Sequence, residues 1–222
     1  MQFVRVEGWQ PAADAIASRL QRALTTGPTL WFVSGGSSIA ATVHAMAALP
    51  EDLTEQLTVL LIDERYGLPG HHDSNYKQLL DAGFQHKQAT FVPVLVEGLT
   101  LQETAHRYEE IVAHQLERAS TVIGQLGIGS DGHIAGILPH SPAVTAHGLV
   151  TAYEAGPYER ITTTFNVITR LSTDFSLVFG ENKRTALHKL QAETVSLAEE
   201  PAQILKQVPD VYIYNDLIGG ET

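Results

Sequence analysis

Asp131-Gly132-His133 sets an acid two residues from an imidazole, inside the glycine-rich segment Leu126-Gly127-Ile128-Gly129-Ser130-Asp131-Gly132-His133-Ile134-Ala135. Imidazole titrates near neutrality and a neighbouring carboxylate can hold its tautomer, so His133 is a candidate general base and Asp131 its orienting acid. The chain has 10 histidines, so position rather than residue type singles out His133. His133, His140 and His147 recur every seven residues, but Pro139 and Pro142 deny them a common helical face. Gly127, Gly129 and Gly132 also match the dinucleotide pattern G-x-G-x-x-G, and Glu154 stands about 20 residues on. That reading needs a long helix next, which the prolines cut short, and it puts a charged Asp131 where a pyrophosphate should rest.

Three other segments carry residues of the same kind. Ser34-Gly35-Gly36-Ser37-Ser38 lies between an apolar run and a helical pattern starting near Ile39. Paired glycines free backbone N–H groups to face a ligand, and a helix N-terminus adds partial positive charge, so Gly35, Gly36, Ser37 and Ser38 suit a phosphate. The plain alternative is a tight turn with Ser37 or Ser38 capping the helix. Asp63-Glu64-Arg65-Tyr66 follows Leu60-Leu61-Ile62, and Asp73-Ser74-Asn75-Tyr76 opens a helix soon after. Asp63 is a second candidate base and Arg65 an anion clamp, against a reading in which Asp63 caps a turn and Glu64–Arg65 is a solvated ion pair. His71-His72-Asp73 reads as a solvated loop and not as a metal site, because adjacent residues rarely share one ligand sphere. Gly180-Glu181-Asn182-Lys183 puts a lysine in the first turn of a helix, against the macrodipole, which an anion at that place would explain.

The elements that must position these residues alternate from end to end. Strands are expected at Phe3–Val6, Leu30–Ser34, Thr58–Ile62, Thr90–Val94, Thr121–Leu126, Leu149–Tyr153, Ile161–Ile168, Phe175–Phe179 and Val211–Tyr214. Helical patterns fall between them: Pro11 to Leu24, ending at Gly27 as a left-handed cap; Thr100 with Glu103 as a capping box ahead of a helix to about Arg118; and one from near Glu181. Strand–helix alternation with continuous apolar strands predicts an α/β fold with a mostly parallel sheet covered on both faces, whose ligands bind beyond the carboxyl ends of the strands. The 222 residues show no repeat, linker or composition break, so 1–222 reads as one domain.

Composition narrows the partners. Hydrophobic residues make up 44% and charged residues 18%, which excludes large-scale disorder. A net charge of −11 argues against nucleic acid and anionic lipid surfaces. No apolar run approaches the roughly 20 residues of a membrane helix, and the first residues lack a leader pattern, so a cytoplasmic protein is expected. With no cysteine there is neither a disulfide nor a thiolate nucleophile.

Taken together and in order, Ser34-Gly35-Gly36-Ser37, Asp63-Glu64-Arg65 with Asp73-Ser74-Asn75-Tyr76, Gly127 to His133 with Leu138-Pro139, and Arg160-Ile161-Thr162 followed by Gly180-Glu181-Asn182-Lys183 resemble the 6-phosphogluconolactonases and glucosamine-6-phosphate isomerases/deaminases, over nearly the whole chain. The resemblance implies a Rossmann-like αβα sandwich without metal or nucleotide cofactor that acts on a hexose phosphate. It implies that the glycine–serine loop and Lys183 hold the phosphate, with Arg65 and Arg160 nearby and Asp63 in the substrate site. Deaminases usually carry Asp-Glu-Tyr where this chain has Asp63-Glu64-Arg65, and a glutamate where it has Leu138. The lactonase spelling matches at both places, although Ile134-Ala135-Gly136 is nearer the deaminase form, and the segment from Arg160 to Thr164 lacks the usual lactonase prolines and leucines. The resemblance therefore implies hydrolysis of 6-phosphogluconolactone to 6-phosphogluconate, a pentose phosphate pathway step. Glucosamine-6-phosphate deamination and non-catalytic sugar-phosphate binding are the alternatives.

Overall fold

The strands are Gln2–Arg5 (β1), Thr29–Val33 (β2), Leu57–Leu61 (β3), Asp63–Arg65 (β4), Thr90–Phe91 (β5), Thr121–Leu126 (β6), Val150–Ala155 (β7), Tyr158–Thr163 (β8), Thr173–Val178 (β9), Asp210–Asn215 (β10) and Gly220–Glu221 (β11). They come from a computed structural model that describes residues 1–221. The helices are Gln10–Leu24 (α1), Ile39–Ala48 (α2), Asn75–Asp81 (α3), Leu101–Arg118 (α4), Phe165–Ile168 (α5) and Arg184–Ala192 (α6). Eight strands form the main sheet in the order β11-β1-β10-β9-β6-β2-β3-β5, parallel throughout except for β11 against β1. This is the expected α/β sandwich with a mostly parallel central sheet. In β2, Leu30, Trp31, Phe32 and Val33 are all buried, as a parallel strand covered on both faces requires. The helix α1 buries Ala13, Ile16, Ala17, Leu20 and Leu24, the stripe that its spacing predicts. Among the described residues no helix is long and apolar enough to cross a membrane.

The strand order locates the place where a ligand can enter. From β2 the chain runs outward through β3 to β5, then returns to the other flank of β2 as β6. At such a reversal the loops leaving the two neighbouring strands part in opposite directions and open a crevice at their carboxyl ends. Those loops are Ser34–Ser38 and Gly127–His133.

Several elements differ from expectation for identifiable reasons. The run Ile161–Ile168 is not one strand: β8 ends at Thr163, and Thr164 accepts a hydrogen bond from the Asn166 N–H at 3.2 Å to start the helical turn α5. Neither β7 nor β8 joins the main sheet: β8 pairs antiparallel with β4 on one side and with β7 on the other, as a separate three-stranded sheet. The cause is the Gly156-Pro157 connection, since two residues can join only antiparallel neighbours. At Pro93 the expected strand Thr90–Val94 stops early, leaving Thr90–Phe91 paired to β3. Gly27 is not a left-handed cap. Its φ is +154°, and a Cβ there would lie 2.9 Å from Ser120 Oγ, so glycine allows a close approach between two chain segments. The Thr100–Glu103 capping box forms as expected.

The strand β9 begins two residues before Phe175 and so carries Asp174 into the core with no exposure at all. Its Oδ2 accepts from Ser176 Oγ at 2.6 Å, while Oδ1 has no partner. Opposite it stands Gly124, where a Cβ would lie 2.7 Å from that Oδ1. Burial pushes the Asp174 carboxyl up to about 7, against the hydrogen bonds from Ser176 and the Phe175 backbone that favour its charged form. The unfolded chain releases this proton near the ordinary value of 3.8, so between there and about 7 the folded state binds more protons. Stability should thus fall as pH rises through that window and level off above it. Asp174→Asn should remove the loss, raising Tm at pH 8 by roughly 4 °C or more relative to its effect at pH 4, as thermal melts across pH will read.

Candidate active site

The loop after β2 turns sharply because Gly36 sits at φ +66°, followed by a 3-10 turn Gly36–Ser38 that runs into α2. Ser38 does not cap that helix through its side chain. Its carbonyl is instead fixed from within the core, accepting from Thr42 Oγ1 at 3.2 Å and from Gln125 Nε2 at 3.0 Å. Thr42 shares that one hydroxyl proton with Gln125 Oε1, the nearer acceptor at 2.8 Å, and both side chains are fully buried. The loop thus rests on a satisfied polar network reaching from α2 to β6. A Cβ on Gly35 would overlap the Asn75 side chain, so glycine is required at that position.

Asn75 reaches the loop because of Glu64. The Glu64 carboxylate is completely buried, yet accepts from the backbone N–H groups of Arg65 and Asn75, both at 2.7 Å, from that of Tyr76 at 3.0 Å, and from Ser74 Oγ at 2.9 Å. Burial pushes its carboxyl up, and these four hydrogen bonds favour the charged form. The solvated Glu64–Arg65 ion pair therefore does not exist: Glu64 belongs to the N-terminus of α3, and Arg65 NH1 donates to the Asp73 carbonyl at 3.1 Å. Alternation along β4 turns Asp63 and Arg65 to the face opposite Glu64. Asn75 Nδ2 donates to the Asp63 carbonyl at 2.9 Å and lies 3.3 Å from its Oδ1. Arg160 NH1 stands 3.7 Å from Asp63 Oδ2. Burial pushes the Asp63 carboxyl up, while the charges of Arg65, Arg160 and His133 pull it back.

After β6 two of the three glycines are required by their surroundings. A Cβ on Gly129 would overlap the His133 ring, and Gly132 adopts φ +81° with Glu200 packed against it. Within the G-x-G-x-x-G match, Gly129 thus makes room for the side-chain pair and Gly132 for Glu200 and a left-handed turn. His133 Nδ1 lies 2.6 Å from Asp131 Oδ1, which leaves Nε2 free as the basic nitrogen when Nδ1 carries the proton. Partial burial works to raise the Asp131 carboxyl, but the charge and hydrogen bonds of His133 outweigh it and hold the group below the ordinary range. Lys183 ends a 3-10 turn entered through Gly180 at φ +102°. Burial lowers its ammonium and the charge of Asp131 partly restores it.

These segments converge on one cavity of about 220 Å³. Gly35, Gly36, Ser37, Ser38, Asp63, Arg65, His133, Arg160 and Lys183 all line it, and Asp131 stands behind His133. The structure therefore brings together every candidate residue read from the sequence. Asn75 also lines the cavity and was not singled out as a site residue; its place in the helix-opening Asp73-Ser74-Asn75-Tyr76 was the available signal. Ala135, Leu177 and Phe179 supply an apolar wall. Size alone does not select this cavity. One of about 640 Å³ lies at the amino ends of β2 and β3, but it offers no base held by an acid. Among the described residues no cluster of three or more His, Cys, Asp or Glu could hold a metal ion, and His71 Nε2 lies 2.9 Å from the Arg65 carbonyl.

Residues 6–213 match the family model described as glucosamine-6-phosphate isomerases/6-phosphogluconolactonase. A 6-phosphogluconolactonase of Synechocystis is 28% identical over 222 residues, covering 95% of this chain and 91% of its own. One of Neisseria meningitidis is 30% identical over 190 residues, covering 80% and 81%. The crystal structure of a 6-phosphogluconolactonase from Shewanella baltica superposes with a TM-score of 0.83 over 97% of both chains at 19% identity, a likeness of fold. With a family match spanning nearly its whole length, the chain belongs to the glucosamine-6-phosphate isomerase/6-phosphogluconolactonase family.

Proposed function

We propose that the protein is a lactone hydrolase that opens 6-phosphogluconolactone to 6-phosphogluconate. The observation that carries this reading is the His133–Asp131 pair, 2.6 Å apart, with His133 in a cavity that also holds Arg65, Arg160 and Lys183. The curated relatives named 6-phosphogluconolactonase support the substrate. His133 Nε2 takes a proton from a water whose oxygen bonds to the lactone carbonyl carbon. When the tetrahedral adduct collapses, the bond from that carbon to the ring oxygen breaks and the imidazolium returns its proton to the departing oxygen. Asp131, ionised because His133 holds its carboxyl low, keeps the tautomer and balances the transient positive charge. The phosphate lies between the turn at Gly35–Ser38 and Lys183, with Arg65 and Arg160 beside it, where charge-assisted contacts replace its water. Asp63 and Asn75 face the sugar hydroxyls.

A second reading, glucosamine-6-phosphate deamination with Asp63 moving a proton from C2, rests on Asp63 being the carboxylate that lines the cavity among the described residues. It lacks an acid partner at position 138. Leu138 is half-buried, its N–H donates to Tyr153 Oη at 3.3 Å, and it lines a neighbouring cavity. Side-by-side assays of 6-phosphogluconolactone opening and of ammonia release from glucosamine 6-phosphate should show the first and a negligible second. The reverse result replaces the lactonase reading with the isomerase one.

Two variants test the assigned roles. His133→Ala should lower kcat by about 10²–10⁴ with KM nearly unchanged, measured as acceleration over spontaneous opening. Near-wild-type turnover would falsify the assignment. Lys183→Ala should raise KM about tenfold for the phosphorylated lactone and far less for the unphosphorylated one. Equal losses on the two would make Lys183 structural.

A further inference from the structure

Arg65 and Arg160 are direct partners across the β4–β8 ladder, and both line the cavity. Like charges facing each other on neighbouring strands destabilise the pairing, so something must hold these two together before any ligand arrives. Hydrogen bonds do this only in part. The Nε of each guanidinium is buried without a partner. Arg65 is tied once, to the Asp73 carbonyl, and Arg160 meets Asp63 at 3.7 Å, which favours its charge without fixing its plane.

The missing restraint is an aromatic ring. Tyr158 lies two residues before Arg160 on β8 and so shares its face of the strand. The Arg65 and Arg160 guanidinium carbons stand 5.6 Å and 5.5 Å from its ring centroid. The negative face of an aromatic ring attracts a cation, and one ring shared by two guanidiniums offsets their mutual repulsion while limiting how they rotate. We propose that Tyr158 is a positioning residue whose ring presets Arg65 and Arg160 as a two-arginine clamp for a tetrahedral oxyanion; this deepens, and rests on, the phosphate site proposed above. A dianion between the guanidiniums removes the repulsion that the empty clamp carries, so the strand pairing that is poor without ligand becomes favourable with it. Presetting the pair also spares the ligand the entropy of ordering two long side chains.

The test compares the wild-type protein with Tyr158→Phe and Tyr158→Leu by two readouts, the Arg Nε–H resonances of the ligand-free protein and the affinity for inorganic phosphate. Wild type and Tyr158→Phe should share two ring-shifted, slowly exchanging Nε–H signals and the same affinity, because the ring and not the hydroxyl does the holding. Tyr158→Leu should lose both signals and bind phosphate roughly three- to tenfold more weakly. The clamp is overturned if Tyr158→Leu binds within twofold of wild type, if Tyr158→Phe is as impaired as Tyr158→Leu, or if the wild type takes up no phosphate at millimolar concentration. A wild type that behaves as expected here yet does not accelerate lactone opening upholds the clamp and removes the lactonase reading.

Discussion

Glu64 places a carboxylate where no water reaches it, and the geometry of the cavity follows from how that charge is satisfied. Its two oxygens accept three backbone N–H groups and one hydroxyl, three of these four donors coming from the opening turn of α3. Breaking such an arrangement leaves several buried donors unpaired, each costing about 1–3 kcal/mol, so the start of α3 has no freedom to drift from β4. Asn75 is held on its backbone side by Glu64 and on its side-chain side by Asp63, and the space it occupies forces glycine at position 35. One buried charge therefore sets Asp63, Arg65, Asn75 and the edge of the glycine–serine loop relative to one another.

A chain of net charge −11 that gathers two arginines and a lysine around one small cavity works against its own field. Distance resolves the conflict. At physiological ionic strength exposed charges are screened beyond about 8 Å, so acidic residues scattered over the surface contribute little inside the cavity. The nearby cations act through a poorly solvated space where the same charges interact more strongly. The overall charge is thus informative about extended partners such as nucleic acid, whose many phosphates sample the whole surface, and uninformative about a single phosphate in a pocket.

Legibility in the sequence follows the same physics. Strands buried on both faces, such as β2 and β6, are mostly apolar, so their carboxyl ends and the loops that follow could be read directly, and with them Gly35 and His133. The antiparallel sheet was harder to read because β4 holds Asp63, Glu64 and Arg65, whose polar side chains are satisfied by partners from distant segments. The threonines after Arg160 have strand propensity at every position, and only the Thr164–Asn166 hydrogen bond ends the strand. Asp174 was invisible for a related reason: a buried acid contradicts the pattern that reveals a central strand, and its tolerance depends on Gly124 across the sheet.

The small sheet also answers how a loop of poor backbone conformation can hold a base in place. Two residues after His133, Ala135 lies at φ +53°, a left-handed conformation that costs a residue with a Cβ roughly 1–2 kcal/mol. The turn that contains it closes through Ile137 N–H to the Ile134 carbonyl at 2.9 Å. Gly136 donates to Thr162 Oγ1 at 3.0 Å, and its carbonyl accepts from Tyr153 Oη at 2.5 Å. Thr162 is on β8 and Tyr153 on β7, so the sheet that carries Arg160 also restrains the loop that carries His133. The strain at Ala135 is opposed by hydrogen bonds from the same element that positions Arg160, which makes the spacing between the base and that cation a property of one rigid unit. Had the loop been held by the main sheet instead, the base and Arg160 would sit on separate supports, and their spacing would depend on how two sheets pack.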